Sequence, residues 1–173
     1  MINNELPTLQ KMKVRYPLIY KDDICIRCNL RTEDQSHIFT CENNLVSMEL
    51  CRNKLISLIV DTIRNNGTYV LTDTFKDNLN RLEEFKIKDA EPYRNNQEIT
   101  FLDIIYGLIP YSLTKLIHSI TRNKEDTNKL TQDIFDRFKS FIRKEIWIKR
   151  CKAVKEWERD NGIKTRGGKK SRA

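Results

Sequence analysis

Three cysteines and one histidine lie close together near the start of this 173-residue chain. Cys25, Cys28, His37 and Cys41 follow the spacing Cys-x2-Cys-x8-His-x3-Cys within seventeen residues. Thiolates and imidazole are ligands that Zn²⁺ prefers, and four of them fill a tetrahedral structural site. A Cys-x-x-Cys turn presents two sulfurs to one ion, and residues four apart on a helix share one face. The spacing therefore predicts a structural Zn²⁺ site with these four residues as ligands.

The segment around this motif has little else to order it. Its apolar residues between positions 22 and 44 are few: Ile24, Ile26, Leu30, Ile38 and Phe39. Burial of so few side chains does not offset the conformational entropy that folding removes. Metal binding supplies about 10–16 kcal/mol in small structural zinc modules at neutral pH. We therefore expect the metal to fold this segment.

Other uses of the cysteines remain open at this point. The thiols can be unliganded buried residues, and a single Cys-x-x-Cys pair is also the pattern of a redox dithiol. Cys51 and Cys151 lie outside the motif, in apolar-periodic stretches, and are expected in the core. Cys51 is a substitute ligand if Cys41 points away from the site.

The sequence has no membrane-spanning or secretory signature. A membrane helix needs about eighteen or more consecutive apolar residues, and no such run is present. The first ten residues, MINNELPTLQ, lack the basic and apolar regions of a signal peptide. We therefore expect an intracellular protein, whose thiols stay reduced and available to metal.

The net charge of +8 comes from one end of the chain. Residues 143–173 contain twelve lysines and arginines but only four acids, whereas the remaining residues contain twenty of each. A nucleic acid, either RNA or DNA, is the partner expected at such an end. The basic residues predicted to contact phosphates are Lys149, Arg150, Lys152, Lys155, Arg159, Lys164, Arg166, Lys169 and Lys170.

Two alternatives for the basic end are open. The tail can be a merely solvated end of the chain, and a membrane surface is disfavoured because the tail lacks apolar anchors. Trp147 and Trp157 are candidates to stack on a base, although such residues are more often part of a core.

Helical periodicity covers most of the chain. Apolar residues recur at every third or fourth position in five segments: 6–16, 43–66, 74–85, 98–121 and 126–161. Gly67 is expected to end the second helix, and Gly107 and Pro110 are expected to divide or kink the fourth. Residues 86–97 are polar and predict a loop. Strand signal is slight, at 68–71 and beside Cys25.

These patterns predict an all-α protein. We expect a helical domain with a small N-terminal zinc knuckle or ribbon and a long C-terminal helix. The predicted divisions are an N-terminal helix plus zinc module at 1–44, a helical domain at 45–162, and a basic disordered tail at 163–173.

One short motif suggests catalysis. Residues 20–23 read Tyr-Lys-Asp-Asp, a pattern that carries metal-binding aspartates in reverse transcriptases. Two-metal phosphoryl transfer needs a further carboxylate on a separate strand of a palm domain, which the nineteen preceding residues cannot build. A polar turn leading into Cys25 is the simpler interpretation.

No other catalytic constellation stands out. His118 is expected at the edge of the core. A nuclease would need carboxylates to converge from distant positions, such as Asp61, Asp73, Asp103 and Asp133, which the sequence does not indicate. With four protein ligands, the zinc would also have no open position for water. We therefore predict no catalytic residue and no enzymatic activity.

Residues 25–41, CIRCNLRTEDQSHIFTC, resemble the zinc-binding module that follows the reverse transcriptase region in non-LTR (LINE-type) retrotransposon proteins. That module typically reads Cys-x-x-Cys, an acidic pair, then His-hydrophobic-Phe and a final Cys. Here the acidic pair is Glu33-Asp34 and the next step is His37-Ile38-Phe39. Residues 6–9 and 16–20 also resemble the helix and turn that lead into the module.

The resemblance implies the same four zinc ligands, Cys25, Cys28, His37 and Cys41. Residues 145–163 are, more weakly, similar to the C-terminal tails of element-derived fungal proteins. The chain departs from the pattern at Ile26, where a proline is common, and it lacks the polymerase and endonuclease or RNase H regions. The resemblance thus implies an element fragment or domesticated remnant that cannot copy nucleic acid by itself. Together with the basic C-terminal helix and tail, it leads us to predict a non-enzymatic zinc-stabilised module that binds nucleic acid. The alternative is a zinc-stabilised protein–protein interaction module.

Overall fold

The structure, a computed structural model, describes residues 6–87 and 98–163. Its helices are α1 (Leu9–Arg15), α2 (Gln35–Thr40), α3 (Met48–Asn66), α4 (Asp73–Asn80), α5 (Phe101–Ile105), α6 (Tyr111–Thr121), α7 (Lys124–Ile142) and α8 (Ile148–Asp160). The described residues contain no β-strand, only an isolated antiparallel bridge between Ile24 and Thr32. The predicted all-α class is therefore confirmed. None of the described helices is long and apolar enough to cross a membrane.

Capping side chains set where the helices begin. The hydroxyl of Thr8 accepts a hydrogen bond at the start of α1, and that of Ser47 does so at the start of α3. The second predicted helix, which is α3 in the structure, therefore starts at Met48 rather than near residue 43, although the apolar periodicity extends further back. It ends where predicted, at Gly67, whose φ of 70° lies in the left-handed region.

Two of the predicted helices are divided in the structure. The segment 74–85 forms α4 followed by a single 3₁₀ turn, Glu83–Phe85. The segment 98–121 forms α5 and α6, and the break contains Gly107, whose φ is 97°, and Pro110. The predicted interruption at these two residues is therefore confirmed.

The long C-terminal helix is present from Lys124 to Asp160. It begins two residues earlier than predicted because the Asn123 side chain accepts hydrogen bonds from the first-turn amides. One π-helical turn, Arg143–Trp147, separates α7 from α8. Residues 88–97 of the predicted loop and 164–173 of the predicted tail lie outside the described residues.

The chain divides into two compact units. Among the described residues, the helical unit contains 46–143, and the Cys/His unit contains 6–45 together with 144–163. The expected domain at 45–162 is therefore not one unit, since α8 belongs with the N-terminal segment. Polar contacts explain this, because Arg150 and Glu158 of α8 pair with the buried Glu33 and Tyr20 of that segment.

The helical unit has a conventional apolar core. Helix α7 packs against α3 and α6, and α4 packs against α6. At its centre the ring of Phe101 lies 6.2 Å from that of Phe85 and 6.3 Å from that of Phe138. The core is completed by buried residues from several helices, including Leu55, Ile59, Ile63, Leu79, Leu113, Ile117 and Ile134.

Candidate metal centre

The structure brings the four predicted ligands together. The ligand atoms of Cys25, Cys28, His37 and Cys41 all lie within 4.8 Å of one another. The Sγ atoms of Cys25 and Cys41 are 3.8 Å apart, and Cys28 Sγ lies 3.3 Å from His37 Nε2. A tetrahedral ion with Zn–S bonds of about 2.3 Å holds its sulfurs about 3.8 Å apart. This Cys₃His group can therefore hold a metal ion.

None of the cysteines is in a disulfide. All five thiols are free, and the 3.8 Å between the sulfurs of Cys25 and Cys41 is far longer than a covalent bond of about 2.05 Å. Cys51 is buried in α3 of the helical unit, where burial raises the pKa of its thiol to about 11. Because Cys41 lies in the cluster, no substitute ligand is needed. Cys151 lies half-buried in α8.

A tight backbone turn presents the first two cysteines. The Asn29 N–H donates to the Cys25 carbonyl at 2.7 Å, and the Cys25 N–H donates to the Arg31 carbonyl at 2.8 Å. Asn29 takes a positive φ of 55°, which its short polar side chain tolerates better than most. The Ile24–Thr32 bridge closes the base of the turn. This is the small knuckle that the sequence predicts.

Helix α2 presents the other two ligands. The Asp34 carboxylate accepts from the His37 N–H at 2.7 Å and so caps the first turn. One turn later the Cys41 N–H donates to the His37 carbonyl at 2.9 Å. This places His37 and Cys41 on one face of the helix, as their spacing predicts.

Polar side chains after the motif hold its two halves together. The Asn43 amide donates to the Arg27 carbonyl at 2.6 Å, and the Asn44 amide donates to the carbonyls of Ile38 and Phe39, each at 3.1 Å. The Arg27 guanidinium returns a hydrogen bond to the Asn44 side chain. These bonds join the knuckle to α2 without an extensive apolar core.

The surroundings of the ligands change their proton affinities. Partial burial raises the pKa of Cys28, but hydrogen bonds from the backbone at Leu30 and Arg31 and from the neighbouring thiols lower it more, so the net shift is downward. Burial, with the nearby charge of Arg27, lowers the pKa of His37. Both shifts favour the ligand forms, thiolate and neutral imidazole.

Cys41 behaves in the opposite way. Burial raises the pKa of its thiol to about 12. A metal ion must therefore displace a proton from Cys41 when it binds.

The Tyr-Lys-Asp-Asp motif is an irregular segment between a turn at residues 17–19 and the bridge residue Ile24. Tyr20 is buried, and its hydroxyl donates to Glu158 Oε1 at 2.5 Å. Asp22 accepts from the Ile24 N–H at 3.2 Å, and Asp23 pairs with Lys13 at 3.1 Å. Both aspartates therefore have local structural partners on the approach to Cys25, although the turn lies just before the motif rather than within it.

The other carboxylates considered for catalysis have separate local partners. Asp61 accepts from Ser57, Asp73 pairs with Lys76, Asp103 caps α5 and Asp133 pairs with Arg137. Within residues 6–87 and 98–163, the Cys₃His cluster is the group whose ligand atoms converge as a metal site. His118 is surface-exposed, and its Nδ1 lies 3.0 Å from the Thr127 hydroxyl.

Sequence reasoning missed the role of Glu33. This carboxylate is fully buried, and its Oε1 accepts from the Leu9 N–H and from Arg150 Nε, each at 3.1 Å. A terminal nitrogen of Arg150 also donates to the same oxygen. The one signal in the sequence is that Glu33 belongs to the acidic pair of the resembled motif.

The assignment of Arg150 to phosphate contact is corrected by this pairing. Arg150 is only 3% exposed, and its guanidinium is engaged by Glu33. It stabilises the interior of the Cys/His unit instead. A long basic residue on a charged helix looks like a surface cation in sequence, because its acidic partner is 117 positions away.

The other predicted phosphate contacts on α8 are at the surface. Lys149, Lys152, Lys155 and Arg159 are all exposed. The remaining candidates lie outside the described residues: Lys164, Arg166, Lys169 and Lys170.

Both tryptophans are engaged within the protein. Trp157 stacks on Tyr20 with ring centroids 6.2 Å apart, and Trp147 lies 5.5 Å from the Arg150 guanidinium. Each is half-buried. This agrees with a role in the core of the Cys/His unit and leaves less of either ring for a base.

No protein-family model matches the chain, and no significant match is found among curated proteins or solved structures. Function is therefore inferred from the residues themselves.

Proposed function

We propose that this protein is a non-enzymatic, zinc-stabilised module that binds nucleic acid, derived from a retrotransposon reverse transcriptase protein. The observation that supports it most is the convergent Cys₃His cluster in one unit with a cationic face of α8. The order of the cluster's residues and the acidic pair within it support the origin.

Zinc is the metal that best suits the cluster. Soft thiolates favour Zn²⁺ over Mg²⁺ or Ca²⁺, which prefer oxygen ligands, and the 3.8 Å between Cys25 Sγ and Cys41 Sγ suits a tetrahedral ion. Four protein ligands fill the coordination sphere and leave no position for a reacting water. The metal in this proposal is structural and has no catalytic role.

Metal analysis of the purified protein tests this part. We expect one zinc per chain in the parent and loss of zinc, together with loss of folding of the Cys/His unit, in His37→Ala and Cys41→Ala. Cys151→Ser is the matched control, because this cysteine lies outside the cluster. Zinc retained in both ligand variants would contradict the assignment.

The proposed nucleic-acid contact is a row of three cations on α8, Lys152, Lys155 and Arg159, which we call the cation row. The three residues are exposed and recur at spacings of three and four, so they share one face of the helix. At a rise of about 1.5 Å per residue the row is about 10 Å long, which matches about three phosphates along one strand of a duplex.

Among the described residues, two members of the cation row, Lys152 and Lys155, are free of the ion pairs that occupy their neighbours on α8. Lys149 is held by Glu145 at 2.5 Å and Arg159 lies 3.1 Å from Asp160. In the part of the chain that the structure describes, Lys152 and Lys155 form no ion pair. Their charges are therefore available to an external anion.

Salt dependence of binding tests the contact. For a labelled twenty-nucleotide single strand, three neutralised phosphates predict a slope of log affinity against log salt of about −2 or steeper. Replacing Lys152, Lys155 and Arg159 together by glutamine should weaken binding and flatten the slope by about 2.

The matched control replaces three exposed lysines of the helical unit, Lys115, Lys124 and Lys139, by glutamine. It removes the same charge and should leave the slope nearly unchanged. No binding to either a single strand or a duplex at low salt would overturn the proposal.

An exposed apolar segment favours the second candidate function, docking of a protein partner. Leu18 is 93% exposed, and its neighbours Tyr16 and Ile19 are also at the surface. Leu18→Ser would then abolish partner binding, whereas it should leave oligonucleotide affinity unchanged under the main proposal.

A further inference from the structure

One buried ion pair connects the metal motif to α8. Glu33 lies between the second and third cluster residues, Cys28 and His37, and directly precedes the cap of α2. Its backbone is fixed on both sides: the N–H donates to the Asp23 carbonyl at 2.7 Å, and the carbonyl accepts from the Gln10 N–H at 3.3 Å. The position of this carboxylate therefore depends on the fold of the metal motif.

The opposite end of the pair fixes the register of α8. Arg150, Val154 and Glu158 recur at every fourth position and are the buried residues of this helix. Arg150 bonds to Glu33, and Glu158 accepts from the Tyr20 hydroxyl. Trp157 lies against Tyr20 on the same side. The helix is thus attached by charged and aromatic groups at two levels.

This attachment decides where the cation row points. Lys152, Lys155 and Arg159 lie on the face of α8 opposite to that of Arg150 and Val154, and all three are exposed. A helix held through its inner face presents its outer face in one orientation. The same cations on a detached helix would have no fixed orientation relative to the metal motif.

Neither charge of the pair tolerates the loss of its partner. Glu33 is fully buried, and Arg150 is 3% exposed. The second cation near Glu33, Arg27, is 3.8 Å from Oε2 and is also held by the Asn44 side chain. If Glu33 moves when the metal motif unfolds, Arg150 is left as an uncompensated buried charge, which strongly favours release of the helix.

We propose that Glu33 and Arg150 are positioning residues that make the presentation of the cation row depend on bound metal. The metal orders the motif, the motif places Glu33, and Glu33 holds α8 through Arg150. Loss of metal detaches α8, although no ligand belongs to that helix. The expected effect on nucleic-acid binding rests on the proposed function. The dependence of α8 on the metal does not, and it is measurable without nucleic acid.

Hydrogen exchange and tryptophan emission report the coupling directly, because both tryptophans of the chain lie at 147 and 157. In the zinc-loaded parent we expect slow exchange over 148–160. Removal of zinc with a chelator should accelerate it at least tenfold and shift the emission to longer wavelength. Unchanged protection of 148–160 after metal removal would overturn the proposal.

Arg150→Met tests the pair while leaving all four ligands in place. We expect this variant to retain zinc, to exchange rapidly over 148–160 even when loaded, and to respond little to chelator. The matched control, Lys152→Met, removes one charge from the outer face of the same helix and should keep the parent's protection. Parent-like protection of loaded Arg150→Met would refute the role of the pair.

The double variant Glu33→Gln with Arg150→Met distinguishes the effect of an unpaired buried charge from a nonspecific packing defect. It removes both buried charges and keeps an oxygen to accept from the Leu9 N–H, so its exchange should be slower than that of Arg150→Met alone. Exchange as fast as in the single variant would count against a charge-specific pair.

Oligonucleotide affinity then distinguishes the two proposals. If both hold, Arg150→Met and Lys152→Met each weaken binding of the twenty-nucleotide strand, but only Arg150→Met changes exchange in α8. If the coupling holds and the parent binds no oligonucleotide, the proposed function fails and the positioning role stands.

Discussion

The protonation of individual residues decides at which pH a metal can remain in the cluster. Burial raises the pKa of Cys41 to about 12, so this thiol carries a proton near neutrality that the metal must displace. The pKa of His37 is lowered by burial, so its imidazole is neutral there. Proton competition at neutral pH therefore comes from the Cys41 thiol, and the His37 imidazole adds to it only at acidic pH.

We expect the apparent zinc affinity to fall as the pH decreases, by about one decade per pH unit or more near pH 7, because the metal must displace the proton of the Cys41 thiol. The histidine acts in the same direction. The pKa of His37 is lower in the folded protein than its unfolded value of about 6.5. Its contribution to folding stability is therefore present above pH 6.5 and is lost as the pH falls through the lower folded pKa. Competition with a chromophoric chelator at several pH values measures the slope, and an affinity independent of pH would exclude thiolate ligation.

Among the elements, the six-residue helix α2 depends most on its cap. A helix this short has marginal stability on its own, and the Asp34 carboxylate satisfies one of its first amides, that of His37. The cap acts on the very residue that carries a ligand. The cap at the start of α2 therefore helps to set the position of the His37 ligand.

Asp34→Ala should cost about 1 kcal/mol, which corresponds to about a fivefold loss of zinc affinity. Asp34→Asn keeps an acceptor at the same position and should remain close to the parent. Chelator competition on the two variants measures the difference. An equal loss in both would indicate that the negative charge, rather than the cap, stabilises the site.

The elements also show what a sequence can predict. Apolar periodicity located every described helix except α2, and the four ligands were predictable because they all lie within seventeen residues. The start of α3 was placed too early because the Ser47 cap, rather than the last apolar residue, decides it. The pairing of Glu33 with Arg150 was not predictable, since each residue looks like a surface charge in its own segment.

On the scale of the whole molecule, the two units are stabilised by different means. The helical unit buries aromatic and aliphatic side chains, with Phe138 against Phe101 at its centre. The Cys/His unit combines a metal-ligand cluster with buried charges and only a modest apolar core. A core substitution and a ligand substitution should therefore affect different units.

Phe138→Ala should destabilise the helical unit by about 3–5 kcal/mol, because it removes a ring that is 2% exposed. Phe141→Ala, at a half-buried position on the same helix, should cost less. Urea unfolding, followed by hydrogen exchange in α3 and α7, measures both. Zinc content should stay at one per chain in each variant, and loss of zinc in Phe138→Ala would contradict this division.

The Cys/His unit is assembled from two segments separated by the whole helical unit, and this has a consequence for synthesis on the ribosome. Glu33 is translated 117 residues before its partner Arg150. At about 5–20 residues per second, the interval is roughly 6–23 s. Throughout that time the nascent metal motif carries a carboxylate with no α8 to cover it, and the Cys/His unit can form only after every residue of the helical unit has been translated.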